Sequence, residues 1–152
     1  MKLDRIDHKI LYELQGDATC SVDELSKRVG LSRSPCWRRV KKLNESGILR
    51  ARVTLLDPVM AGFQVTVFAQ VAIKVVDEET LNCFEAKVQE LPEILECHSV
   101  SGEKDFILKI VARDVPTYER FLKKHLIHLP GVASIDTIMA LSTVKSTTRL
   151  PL

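Results

Sequence analysis

The spacing of apolar positions changes from helical to alternating along this chain, and the change divides it. Over residues 4–15, DRIDHKILYELQ, the positions Ile6, Ile10, Leu11 and Leu14 recur at helical spacing, with Asp4 where an N-cap belongs. Gly16-Asp17 ends that pattern. Ser21-Val22-Asp23-Glu24 has the S-x-x-E form of a capping box, so a second helix opens at Ser21, buries Val22, Leu25 and Val29, and stops at Gly30. From Gly30 to Gly47, GLSRSPCWRRVKKLNESG, a third helix places Cys36, Val40 and Leu43 on one narrow stripe. Ser34, Trp37, Arg38 and Lys41 fall on the opposite side, flanked by Arg33, Arg39 and Lys42. Ser32 or Ser34 can cap its start, Pro35 is tolerated in a first turn, and Gly47 suits a left-handed C-terminus. Three short helices with a tight glycine turn before a basic third one make a helix-turn-helix, with the third helix shaped for a DNA major groove. A charged helix face standing alone is more often simply solvated; the two preceding helices are what favour DNA.

Alternation replaces helical spacing at residues 48–56, ILRARVTLL, where Leu49, Ala51, Val53 and Leu55 face away from Arg50, Arg52 and Thr54. A strand is expected there, its arginines either reaching phosphates as a wing or solvating an exposed face. Asp57-Pro58 breaks it and Gly62 closes a hinge. The organisation expected is a helix-turn-helix domain over 1–47, a strand and hinge over 48–62, and a second domain over 63–152. In that second domain strands are expected at 65–76, 94–101, 106–112 and 132–144, with helices at 77–91 and 115–129. Leu91-Pro92-Glu93-Ile94 ends one helix and opens a strand, and Leu129-Pro130-Gly131-Val132 repeats the device. A duplicated β-α-β unit in an antiparallel sheet is the ferredoxin-like βαββαβ arrangement. The fold class expected is therefore α+β: a winged-helix-like helix-turn-helix head on a ferredoxin-like body. Both helices on one side of the sheet leave the other side, with Phe68 and Ala72, in need of a second copy.

Charge sharpens the division. The formal net charge of +2 conceals a first segment, residues 1–56, with twelve Lys and Arg against seven Asp and Glu, and a remainder with ten against thirteen. A head of net +5 on a body of net −3 fits a nucleic-acid-binding head on a body with another task. With 45% hydrophobic residues and a mean hydropathy of +0.03 the chain can supply a core, but no apolar run approaches the ~20 residues of a membrane span, and MKLDRIDHK lacks a signal core. No membrane is expected, and a cytoplasmic location is. Cys20, Cys36, Cys83 and Cys97 form no C-x-x-C, so reduced, packed thiols are expected and no metal or other cofactor. An enzyme is the rival from another class. Cys97 and His98 are adjacent on a strand and so point to opposite faces, while His125 and His128 lack a third ligand. No enzyme is expected.

The chain as a whole resembles the Lrp/AsnC family, the feast-or-famine transcriptional regulators. LDRIDHKILYELQGDA resembles the family's first helix, LSRSPCWRRVKKLNESGIL its recognition helix, LLDPVMAG its hinge, VSGEKDFIL its glycine-to-aspartate turn and VKSTTRLPL its tail. The resemblance implies a regulator that binds double-stranded DNA and forms dimers, with an octamer of four dimers expected. It also implies a small effector, commonly an amino acid, bound near the glycine-to-aspartate turn and the facing last strand. Carried over by position, Gly102, Lys104 and Asp105 would lie at that site, with Thr137 and Met139 completing it. Asp105 can accept from an ammonium while backbone N–H groups near Gly102 meet a carboxylate. Many members carry an aromatic residue where this chain has Lys104. The DNA-binding set expected is Arg33, Ser34, Trp37, Arg38, Arg39, Lys41 and Lys42, with Arg38, Lys41 and Trp37 facing the groove. An effector-independent, architectural DNA-binding protein is the alternative.

Overall fold

Local capping sets out the first three helices. Helix α1 (Arg5–Gly16) starts where the Asp4 carboxylate accepts from the N–H groups of Ile6 and Asp7, each at 2.8 Å, and Asp7 accepts in return from the Asp4 N–H at 3.1 Å. Helix α2 (Val22–Val29) opens with the reciprocal pair of Ser21 and Glu24 and ends at Gly30, whose φ of 73° is the left-handed turn that glycine adopts without strain. Helix α3 (Arg33–Glu45) follows Ser32, which takes the N-cap position without a side-chain capping bond; Ser34 lies inside the helix. Ile10, Leu11, Leu14, Leu25, Val29, Cys36 and Leu43 meet as the head's core, with Val40 packed partly against them. In this computed structural model, which describes residues 2–152, no strand forms at 48–56. The alternation there is real, but a strand needs a neighbour to take its backbone hydrogen bonds, and this segment has none in the single chain. Val53, Leu55 and Leu56 stand exposed along it.

The body follows the expected order: β1 (Val65–Ile73), α4 (Glu78–Gln89), β2 (Ile94–Ser99), β3 (Phe106–Ala112), α5 (Val115–Lys124) and β4 (Val132–Met139). The strands lie β2-β3-β1-β4, every neighbour antiparallel, which is the ferredoxin-like sheet. Val67, Ala69, Val71 and Ile73 of β1 face the helices, and with Phe84, Val88, Leu108, Ile110, Tyr118, Phe121 and Leu126 they form the core. Several ends differ from expectation. Strands β1 and β4 stop at Ile73 and Met139, before Val75, Val76 and Val144, which are exposed. The 115–129 helix ends at Lys124 and continues as a 3-10 turn, Leu126–His128, with Tyr118, Phe121 and Leu126 in the core.

The chain divides into two compact units: residues up to Leu55 together with Val144–Leu152, and Leu56–Thr143. The last nine residues, expected within the 63–152 body, thus pack with the head. Their attachment is to α1, where the Leu150 N–H donates to Gln15 Oε1 at 2.6 Å.

Candidate functional site

Helix α3 carries the cations. Its buried edge, Cys36 and Leu43, is fixed by the head's core, and helical geometry then turns Arg33, Ser34, Trp37, Arg38, Lys41 and Lys42 outward, all exposed. Trp37 is 51% exposed and the Lys41 ammonium lies over its ring, 5.4 Å from the centroid. Arg33 leans on Asp23 at 3.4 Å and Lys41 on Glu45 at 3.7 Å, both solvent-exposed pairs that release readily. Arg38 and Lys42 have no ion-pair partner among the described residues, so their charge is uncommitted.

Arg39 departs from that set. Its guanidinium donates to Asp4 Oδ2 and Asp7 Oδ1, both at 2.7 Å, and its side chain is less than half as exposed as that of Arg33. The two carboxylates hold its pKa above the ordinary value. The capping N–H of Asp7, with Arg39 next, holds the Asp4 carboxyl below the ordinary range. Arg39 therefore ties α3 to the start of α1, and its charge is already paired within the head where a phosphate contact was expected.

In the body the expected residues lie on both faces of the sheet. Backbone bonds fix Asp105: its N–H donates to the Val71 carbonyl at 2.9 Å and its Oδ2 accepts from the Ile73 N–H at 2.7 Å. The aspartate so closes the end of β1 while its second oxygen has no hydrogen-bond partner among the described residues. Gly102 is exposed, and a side chain there would meet nothing within 4 Å, so the backbone of the turn is open to an incoming group. The Lys104 ammonium reaches Asp136 Oδ2 at 2.7 Å and Ser134 Oγ at 3.1 Å. Ser134 and Asp136 stand opposite Ala72 and Gln70, which alternate with the core residues of β1, so this cluster is on the face without helices. Thr137 and Met139 stand opposite Ala69 and Val67 and lie on the helix-covered face. There Thr137 Oγ1 and the buried Tyr118 hydroxyl share a hydrogen bond of 2.9 Å. The pleat therefore separates Thr137 and Met139 from Lys104. Ser134 and Asp136 join Lys104 instead; their signal was the alternation of β4, which put them together opposite to Thr137.

Comparison with known proteins decides what these two units are. Residues 3–50 match the family model described as winged helix-turn-helix DNA-binding, and residues 66–150 match the one described as the Lrp/AsnC ligand binding domain. The chain belongs to the Lrp/AsnC family. It is a DNA-binding transcriptional regulator with a ligand-binding body. Among its relatives, the transcriptional regulator AzlB of Bacillus subtilis is 37% identical over 150 residues, 99% of this chain and 96% of that one. The leucine-responsive regulatory protein of Escherichia coli K12 is 40% identical over 148 residues, 97% of this chain and 90% of its own. Among solved structures, an AsnC family regulator from Agrobacterium tumefaciens has a TM-score of 0.94 at 40% identity, covering 98% of this chain and 97% of that one. A Neisseria meningitidis regulator solved as its L-Met complex also scores 0.94, at 35% identity, covering 99% of this chain and 97% of that one. The expected family, fold class and regulatory function agree with these findings.

Burial pushes the Cys97 thiol up to about 11, which leaves it protonated near neutrality and a poor nucleophile. Cys97 stands opposite Leu108 of the core and His98 opposite Ile107, so the two point to opposite faces, and His98 contacts Glu96 at 3.4 Å. Among the described residues no group of three or more His, Cys, Asp or Glu side chains could hold a metal ion, and no helix is long and apolar enough to cross a membrane.

Proposed function

We propose that this regulator reads DNA through the exposed edge of α3 and answers to a free amino acid bound at the glycine-to-aspartate turn. The observation that carries the DNA half is the uncommitted charge of Arg38 and Lys42 beside Trp37 and Lys41, on a helix docked by its opposite edge. Arg38 is placed for base edges and Arg33, Ser34 and Lys42 for phosphates. The effector half rests on the turn. Its open backbone at Gly102 suits a carboxylate, and the free oxygen of Asp105 suits an ammonium. Lys104, held by Asp136 and Ser134, is a polar neighbour to that position, while Thr137 and Met139 act from the other face. The L-Met complex of the Neisseria meningitidis relative supports the effector class.

Assembly is part of the reading. The face of the sheet without helices carries Phe68, Ala72 and Ile107, half-buried, and Ile138, 52% exposed. A second body placed on it forms the dimer, and four dimers form the octamer. An effector bound where dimers meet shifts DNA binding by favouring one assembly over another.

Calorimetric titration of the purified oligomer with each free amino acid tests the effector half. Binding by one or a few, lost in Asp105→Asn, is the expected result. DNA binding with no amino acid bound would leave the architectural reading in its place.

A further inference from the structure

The chain passes between its two units twice, at Leu55–Leu56 and again at Thr143–Val144. The second passage leads from the end of β4 into the tail VKSTTRLPL, and that tail is anchored. The Gln15 side-chain amide faces the Leu150 backbone and both receives and gives: the Leu150 N–H donates to Gln15 Oε1 at 2.6 Å, and Gln15 Nε2 donates to the Leu150 carbonyl at 3.4 Å. A primary amide can pair with a peptide group in this two-way fashion because it has the same donor and acceptor set. The Arg149 guanidinium lies over Gly16, in the space that a Cβ at that position would need. Leu152 lines a surface groove together with Arg5, His8, Lys9 and Tyr12 of α1. The tail is also folded on itself, with the Arg149 N–H donating to Thr147 Oγ1 at 3.1 Å and the Leu152 N–H to the Leu150 carbonyl at 3.0 Å. Each of these interactions is weak alone. A covalently attached segment meets its dock at high effective concentration, so weak interactions suffice.

We propose that the C-terminal tail is a strap: it docks on α1 and acts as a second tether that limits how far the DNA-binding head can swing. A body held at one point turns freely about it, whereas a body held at two points turns only about the line between them. The linker after Leu55 supplies one point and the tail supplies the other. Gln15 is the positioning residue, and it lies on α1, outside the cationic edge of α3. Because the strap departs from the last strand of the ligand-binding body, it also gives that strand its own route to the head.

The only tryptophan of the chain reports on this directly, since Trp37 is in the head. Time-resolved fluorescence anisotropy of the full oligomer would be compared with Gln15→Ala and with a chain ending at Thr148, which lacks the anchoring residues Arg149, Leu150 and Leu152. The expected result is that the nanosecond component of the decay roughly doubles in amplitude in both variants, with the far-ultraviolet circular dichroism unchanged. Duplexes carrying two copies of a site selected by this protein from random sequence, spaced by about one or one and a half helical turns, give the functional reading. The wild-type preference between the two spacings should shrink several-fold in both variants, while affinity for a single copy stays within about twofold. Unchanged anisotropy in both variants overturns the strap. A change in the shortened chain alone overturns the docking on α1.

Discussion

Head and body distribute their candidate residues differently. In the head, six of the seven expected DNA-binding residues share one exposed edge of one helix. In the body, residues expected at one site come from a turn and a strand and lie on two faces of the sheet. A helix docked by two buried residues, Cys36 and Leu43, has no freedom left in where its other side chains point. A strand leaves one binary choice, the parity of its pairing, and a single step reverses every side chain. Function on a helix edge can thus be removed residue by residue, whereas at the turn it is entangled with the bonds that end β1.

The largest effect is expected where that separation is cleanest. Arg38→Ala with Lys41→Ala should weaken specific DNA binding about a hundredfold, taking ~1–3 kcal/mol for each side chain truncated. Oligomer size and melting temperature should not move, because Arg38 has no ion-pair partner among the described residues and Lys41 has only exposed ones, Glu45 and the Trp37 ring. Titration of a labelled duplex measures this, and unchanged affinity would remove α3 as the reading edge. In the body, Asp105→Ala mixes two losses, an acceptor for the Ile73 N–H and a charge for the effector. Asp105→Asn separates them. It keeps an acceptor at the end of β1, so thermal stability should stay close to wild type, while amino-acid affinity falls about tenfold or more as the charged acceptor disappears. Equal affinity in wild type and Asp105→Asn would mean that the ammonium is held elsewhere.

What could be read from the sequence follows the same division. The caps at Asp4, Ser21 and Gly30 are local, span a few residues, and fell where expected. The body's order of elements was legible because proline punctuates each helix-to-strand passage. The strand at 48–56 was misread because alternation describes one strand, whereas pairing needs two. The pairing of Arg39 is harder to read because its partners are distant in the chain, although the carboxylates of Asp4 and Asp7 in the opening turn of α1 are a signal in plain view. Lys104 was assigned to the side of Thr137 because nothing local sets which way the side chain of a turn residue leaves the sheet. The docking of Leu150 on Gln15 left no pattern at all, since it joins a backbone to an amide across most of the chain.

Arg39 offers a smaller test of the contrast. Arg39→Ala should lower the melting temperature of the head by about 2–5 °C by leaving Asp4 and Asp7 unpaired. DNA affinity of the folded protein should stay within about twofold, the reverse of the Arg38 result. Thr137→Val is its counterpart in the body: the buried Tyr118 hydroxyl loses its partner, and unfolding free energy should fall by about 1 kcal/mol. Amino-acid affinity that held steady in Thr137→Val would place the helix-covered face outside the effector site.

The smallest effect is a dependence on acid. The Asp4 carboxyl titrates below the ordinary value of 3.8 in the folded head, held down by the Asp7 N–H and then by Arg39. A depressed carboxylate contributes stability that is fully present above the unfolded pKa and is lost as pH falls through the folded one. Asp4→Asn keeps a capping side chain but cannot carry the charge that faces Arg39. The stability of wild type over Asp4→Asn should therefore be constant at pH values well above 4 and shrink as pH falls below about 3.8. Denaturant titrations followed at Trp37 report the head, and hydrogen exchange of β1 and β3 reports the body. A gap that closed at acid pH in the head, with the body's response the same in both proteins, would show the Asp4 charge, through its capping bonds and its pairing with Arg39 together, acting within one unit. A gap independent of pH would mean that the charge of Asp4 adds nothing to the folded head beyond what the neutral cap supplies.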